Sequence, residues 1–252
     1  MQMELLTVLC FCHSEYSEVW EAYFNYVQKT MKNVSTVMAV NSKPFADTFF
    51  SQHPTLRPQI ILEYYEKESI PQRLLKILPQ LQTEFVLYLS DNNILTHVDH
   101  SSLSKILLWL HEKQYDTMQF VGGPETYGFE TIADSIVVKP SYDSYPFSFL
   151  PSIWRVTSMY QMMGLFQNSS YRSIELDVQP FLRATMKCFR PACLGSTKTC
   201  NLYNKMEPYF EFMHVLGSRQ WVPLFQLCDF QDEFTRMVNS YKIDLTLKGI
   251  HP

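Results

Sequence analysis

Residues Glu84–Leu95 read EFVLYLSDNNIL. An apolar run from Phe85 to Leu89 stops at Asp91-Asn92-Asn93, and apolar residues resume at Ile94. A strand buried on both faces needs such a run without polar alternation, and strands of that kind belong to parallel sheets. Where the strand ends in a short acidic and amide turn, oxygen ligands stand at the rim of the sheet, the place where open α/β folds bind their ligands. A plain polar turn satisfies the same string, and both readings stand at this point.

The surrounding sequence carries the same alternation. Leu5–Cys12 is an apolar run that reads as a buried strand, with Cys10 and Cys12 as small core residues. Val19, Trp20, Tyr23, Phe24, Val27 and Met31 then recur at helical spacing, with Ser14 or Ser17 as a cap. Thr36–Val40 and Gln59–Leu62 read as further strands. Ser69 caps a helix with Pro71 in its first turn and Leu74, Leu75, Leu78 and Leu81 on one face. Asp99 or Ser101 opens another, carrying Leu103, Ile106, Leu107 and Leu110. Strand and helix thus alternate over about the first 115 residues, which predicts an α/β fold with a doubly wound, mostly parallel central sheet flanked by helices.

The second half is less regular. Thr117–Val121 and Ser135–Val138 read as strands, Tyr142–Pro151 as a loop, and Val156–Phe166, Val178–Met186 and Gln231–Tyr241 as helices. No linker rich in Gly or Ser interrupts the chain. The expectation is one domain over 1–252, with a ligand-binding half at 1–115 and a second half at 116–252 that ends in a helical extension.

Composition removes several functions. The 252 residues carry a net charge of −4 with no basic block, which argues against nucleic acid as a partner. No run of about 18 apolar residues occurs, and the N-terminal MQMELLTVLCFC lacks a basic leader, so a chain with no transmembrane segment and a cytoplasmic location is expected. Six cysteines form no C-x-x-C pair, and seven histidines show no ligand spacing and read mostly as surface groups. Only seven glycines occur, without G-x-G-x-x-G, a P-loop lysine motif or G-x-S-x-G. A parallel sheet with an acidic turn and no glycine loop leaves sugar-nucleotide binding as the natural class.

Four constellations could carry chemistry. Asp91, Asn92 and Asn93 present oxygens to a hard cation such as Mg²⁺ or Mn²⁺, with a single carboxylate among them. Cys12-His13-Ser14 ends the first strand, where free N–H groups receive a nucleotide or an anion; Ser14 as a helix cap is the alternative. Arg73, in IPQRLL, can reach a diphosphate or a base edge, or lie on the surface. Glu175 and Asp177, in SIELD, place two carboxylates where one could act as a general base, or where both could favour a helix N-terminus.

The order of these pieces resembles small glycosyltransferases of the GT-A type, of the bacterial and large-DNA-virus kind. IPQRLLKILPQLQTEFVLYLSDNNIL is similar to their R-L helix followed by Y-V-L-Y-x-x-D-D-x-x-L. TVLCFCHSEY resembles their first strand and nucleotide loop, VMAVNSK their second strand, and FLPSIWR their acceptor-facing Q-P-x-I-W-R/K. SIELDVQPF resembles P-W-E-x-E and YKIDLTLKGI a closing G-I-D-x-x-x-R-G.

The resemblance implies a nucleoside diphosphate sugar donor, a glycan or other hydroxyl acceptor, and sites residue by residue in the family's own pattern. It assigns His13, Ser14, Asn41, Arg73, Asp91 and Asn92 to the donor, Asp91 and Asn93 to a divalent Mn²⁺ or Mg²⁺, Trp154 and Arg155 to the acceptor, and Glu175 and Asp177 to inverting catalysis. The chain departs from the pattern at Asn92 and Asn93, at Ile174 in place of Trp, at Asp177 in place of Glu, and at Leu150 in place of Gln. Two other readings are compatible with the string: a catalytically silent relative that keeps the fold, and a nucleotidyltransferase that makes sugar nucleotides on a related sheet.

Overall fold

The computed structural model describes residues 5–120, 130–132, 136–140, 149–170, 173–174, 176–178, 180, 191–194, 210–217 and 219–249. Their centre is a sheet in the order β3-β2-β1-β4-β9-β6-β10-β8-β7. Its strands are β1 (Leu6–Phe11), β2 (Ser35–Val40), β3 (Ile60–Glu63), β4 (Phe85–Ser90), β6 (Thr117–Gln119), β7 (Glu130–Ile132), β8 (Ile136–Pro140), β9 (Ser152–Arg155) and β10 (Pro191–Leu194). β1 to β4 are mutually parallel and β6 is parallel to β10, while β9 and β8 run against their neighbours. The expected mostly parallel α/β sheet is therefore present. Two short antiparallel pairs accompany it: β5 (Asn93–Val98) with β11 (Phe210–His214), and β12 (Leu216–Gly217) with β13 (Gln220–Trp221).

Burial on both faces explains the continuous apolar runs. Leu6, Val8 and Cys10 of β1 join Phe85, Leu87 and Leu89 of β4 in one core. Leu9 and Phe11 join Val86 and Tyr88 in the core on the other side. The first core is covered by α1 (Trp20–Thr30), α2 (Lys43–Gln52), α4 (His100–Glu112) and α6 (Gln231–Tyr241), and the second by α3 (Ile70–Ile77) and α5 (Val156–Leu165). Among the described residues, no helix is long and apolar enough to cross a membrane.

Caps fix several helix starts. Ser69 and Gln72 form the reciprocal capping box of α3, with Pro71 in its first turn. Asp99 caps α4 through the N–H groups of Ser101 and Ser102. Ser14 and Ser17 do not cap α1: residues 14–19 form a 3₁₀ segment opened by the His13 side chain, and α1 follows from Val19 without a side-chain cap. Among the elements outside the sequence reading are α2 and β9. α2 has only Ala46 and Phe50 buried, too sparse a stripe to announce itself, although Ser42 and Pro44 mark its start. β9, in the stretch read as acceptor-facing, is instead a sheet strand between β4 and β6. Residues 181–186 of the expected helix from Val178 lie outside the described residues.

Candidate functional site

The chain runs from β1 outward to β2 and β3, then returns to place β4 on the other side of β1. That reversal makes the carboxyl ends of β1 and β4 the switch point of the sheet, the position whose crevice binds ligands in open α/β sheets. Asp91 follows β4 there, and His13 stands two residues beyond β1. Asp91 is 4% exposed, and its Oδ2 accepts the His13 backbone N–H at 2.9 Å and the Trp20 indole N–H at 3.1 Å. Its own N–H donates to Phe11 O at 3.2 Å. The carboxylate thus ties β4, the loop after β1 and the first residue of α1 into one unit. Burial pushes its pKa up to about 7, against the lowering pull of the His13, Trp20 and Asp91 N–H groups.

The turn alternates. Asp91 and Asn93 are buried, while Ser90 and Asn92 are partly exposed. Ser90 Oγ donates to Asn92 Oδ1 at 2.6 Å, and the Asn93 amide donates to Ser90 Oγ at 2.7 Å and to Asn92 Oδ1 at 2.8 Å. Asn92 also donates to Leu216 O at 3.2 Å and accepts the Val215 N–H at 2.9 Å. On the paired strand β11, His214 Nδ1 lies 3.0 Å from Asn93 Oδ1. Because the Asn93 NH₂ is donating elsewhere, its oxygen is the acceptor, which assigns the proton to His214 Nδ1. Burial pulls the His214 pKa down to about 4, so the ring is neutral at pH 7.

The expected donor residues gather beside this turn. The Ser14 N–H donates to Asn41 Oδ1 at 2.8 Å, and the Asn41 amide donates to Ser14 Oγ at 3.0 Å. Ser14 and Asn41 therefore clamp the loops after β1 and β2 together. His13 Nε2 contacts Glu66 Oε1 at 3.2 Å, which holds the exposed Glu66 carboxyl below its ordinary range. Arg73 donates through Nε to Glu68 O at 2.8 Å and through Nη2 to Glu66 O, and lies 4.6 Å over the Tyr64 ring. Tyr64 stacks on Phe11 at 5.1 Å and donates to Cys12 O at 2.7 Å. The Arg73 guanidinium thus covers a buried aromatic pair, with the Ser14–Asn41 clamp and His13 beside it.

Asp91 and Asn93 do not fit the metal expected of them. A hard cation needs several oxygen donors with carboxylates among them. The single carboxylate of the turn points inward with two N–H donors on Oδ2, and the Asn93 oxygen is held by His214. Ser90 and Asn92, at the outward positions, are neutral. Among the described residues, no three His, Cys, Asp or Glu side chains are grouped to hold a metal ion.

Trp154 and Arg155 are placed away from the crevice. Trp154 is 1% exposed in the core on the α3 and α5 side. Arg155 pairs in register with Phe85, at the start of β4, so it sits at the opposite edge of the sheet. Six residues at about 3.3 Å each separate that edge from Asp91 by roughly 20 Å. The reason is the direction of β9, whose antiparallel course carries Ser152 toward the crevice and Arg155 away from it. Asp177 is exposed on a helical stretch anchored by buried Ile174 and Val178, and among the described residues no hydrogen bond joins it to the turn. Glu175 lies outside the described residues.

Sequence reading missed His214, which it grouped with surface histidines. The contact with Asn93 spans 121 residues, and only the β5–β11 pairing creates it. Trp20 and Tyr64 were read as a helix-face residue and not at all; their polar tips donate to Asp91 and to Cys12 O.

No protein-family model matches the chain, and no curated protein matches it. Several solved structures are similar to it at low identity. S. aureus TarS 1-349 in complex with UDP is 9% identical over 96% of this chain and 68% of that chain, with a TM-score of 0.49. A nucleotidyl transferase from Methanothermobacter, Mth528, is 8% identical over 94% and 98%, with a TM-score of 0.48. The glycosyltransferase GlyE of Streptococcus pneumoniae is 14% identical over 72% and 43%, with a TM-score of 0.44. The functional reading therefore rests on the chain's own site.

Proposed function

We propose that the chain is a glycosyltransferase that moves a sugar from a nucleoside diphosphate sugar to an acceptor hydroxyl with inversion. One observation carries this reading: His13, Ser14, Asn41 and Arg73, scattered over 61 residues of sequence, line one crevice with the 90–93 turn at the switch point of the sheet. The partly exposed Arg73 guanidinium keeps N–H groups beyond its two backbone bonds that suit a diphosphate or a base edge, and the partly exposed Asn92 amide suits a ribose hydroxyl. In the reaction, the acceptor oxygen forms a bond to the anomeric carbon, the carbon–diphosphate bond breaks, and the nucleoside diphosphate leaves with the electron pair. A base takes the hydroxyl proton; the Glu175–Asp177 segment is the candidate from the resemblance.

A thermal-shift panel tests the proposal, with uridine, cytidine, guanosine, adenosine and thymidine diphosphates and their hexose conjugates at millimolar concentration. A cognate ligand at about 100-fold its Kd stabilises by about 2.7 kcal/mol, or several degrees in a chain of this size. Arg73→Ala should weaken that ligand about tenfold and lower the free protein's melting by only a few degrees, since its partners are two backbone carbonyls and the face of the Tyr64 ring. A panel with no shift at all would sink the reading. Binding without transfer or donor hydrolysis would favour the silent relative, and pyrophosphate release from a nucleoside triphosphate would favour the nucleotidyltransferase.

A further inference from the structure

The misfit between the turn and a divalent cation leaves the diphosphate charge to be met by other groups, and two cations stand on the 3₁₀ segment that follows His13, whose backbone N–H is bonded to Asp91. The segment after β11 starts at His214, passes Val215 and Leu216 on Asn92, and folds into the β12–β13 hairpin. Arg219 is at its tip, with φ 69° in the left-handed region, and its side chain is 69% exposed. The Trp221 N–H, on β13, donates to Gly249 O at 3.0 Å and brings the closing stretch of the chain alongside, so that Lys248 lies 5.0 Å over the Tyr16 ring. Tyr16 is the near neighbour of both loops: its pKa is raised by burial first and by Asp91 next, and is lowered by Arg219.

Both cations are held by carboxylates of the 3₁₀ segment that follows His13. Arg219 Nε lies 3.3 Å from Glu15 Oε2, and Lys248 Nζ lies 3.1 Å from Glu18 Oε1. Lys248 also donates to Glu15 O. The Glu18–Lys248 pair is sheltered, with each side chain 15% exposed. The Glu18 Oε1 atom is buried and has no hydrogen bond, so the pair is an ion contact without a directed bond, and an anion that accepts hydrogen bonds can compete for Lys248.

We infer that this crevice takes a nucleoside diphosphate without a divalent cation, and that Lys248 and Arg219 turn from Glu18 and Glu15 to the diphosphate oxygens. The inference rests on the donor reading above. An ammonium and a guanidinium supply the positive charge that a metal would otherwise bring to a leaving diphosphate, and they need no carboxylate ligands at the turn.

Titration calorimetry of the full chain separates the two ideas, using the five nucleoside diphosphates in EDTA and in Mn²⁺, with Mn²⁺ alone as a control. The expected result is one diphosphate binding within about threefold in both buffers and no binding of Mn²⁺ alone. Lys248→Met should then weaken it about tenfold, and Arg219→Met several-fold. Because Lys248→Met strands Glu18, the double variant Glu18→Gln with Lys248→Met provides a second form with no uncompensated charge, and it should show the same loss. Binding more than tenfold tighter in Mn²⁺, or unchanged in both Lys248 variants, overturns the inference and leaves the transferase reading intact. Failure of every diphosphate in both buffers overturns the transferase reading and the inference with it.

Discussion

Asp91→Ala is expected to melt roughly 4–24 °C below the parent protein at pH 5–6. The loss is structural. Ala removes the acceptor of two buried donors, the His13 N–H and the Trp20 indole N–H. Each orphaned donor costs about 1–3 kcal/mol, and 1 kcal/mol moves melting by about 2–4 °C in a chain of this size. Asp91→Asn keeps an oxygen in place and isolates the charge. With an unfolded value near 3.8 and a folded value of about 7, Asp91 binds more protons folded than unfolded between those limits. Its contribution is fully present below the lower value and is lost as pH rises through the upper one. The melting temperature of Asp91→Asn relative to the parent should therefore climb from pH 5 to pH 8, by the equivalent of roughly 2–3 kcal/mol. His214 acts in the other direction: its folded value of about 4, against 6.5 when unfolded, gives stability that is present above pH 6.5 and lost as pH falls toward 4. The two slopes oppose each other in the parent between those values, which is why the comparison needs the variant. Parallel pH curves for parent and Asp91→Asn would show that Asp91 is already ionised in the fold at pH 5.

The inward turn of Asp91 also shows where sequence reading stops. The runs Leu6–Phe11 and Phe85–Leu89 declare strands buried on both faces, because helices on two sides leave no polar alternation to keep. Asp91 itself was legible as the end of such a strand. Its direction was not, although parity hinted at it: Leu87 and Leu89 face the α1 side, and Asp91 continues that face toward Trp20. A D-N-N string reads as three oxygen donors until the pleat assigns alternate residues to opposite sides. The gathering of His13, Ser14 and Asn41 was legible through collinear order, since each follows a recognisable strand. His214, Arg219 and Lys248 were not, because they reach Asn93, Glu15 and Glu18 from a strand, a hairpin and a later segment more than 100 residues downstream. W-R in SIWR was legible as a motif and misplaced as a site, since the string does not state that β9 runs antiparallel to β4.

Arg155 gives the largest effect expected away from the crevice. Its guanidinium pairs with Glu84, donates to Leu110 O at 3.3 Å and Tyr115 O at 3.4 Å, and lies 4.9 Å over the Phe85 ring. It therefore fastens the start of β4, the end of α4 and β9 at the lower edge of the sheet. Its side chain is 15% exposed and that of Glu84 is 23% exposed, so solvent screens the pair less than a surface bridge but more than a fully buried one. Arg155→Met should cost about 2–3 kcal/mol, below the 3–5 kcal/mol of a fully buried broken pair. Glu84 keeps His111 Nδ1 at 2.8 Å, which limits the damage from its lost partner. Adding Glu84→Gln should cost less than the sum of the two single changes, because the second removes the charge that the first leaves uncompensated. Donor affinity and the KM for acceptor should stay at parental values in all three variants, since the crevice lies at the other end of β4. A residue that touched the acceptor would give the reverse pattern, with parental melting and a KM raised tenfold or more. Melting and KM measured on the same Arg155→Met preparation decide between an edge clamp and an acceptor contact.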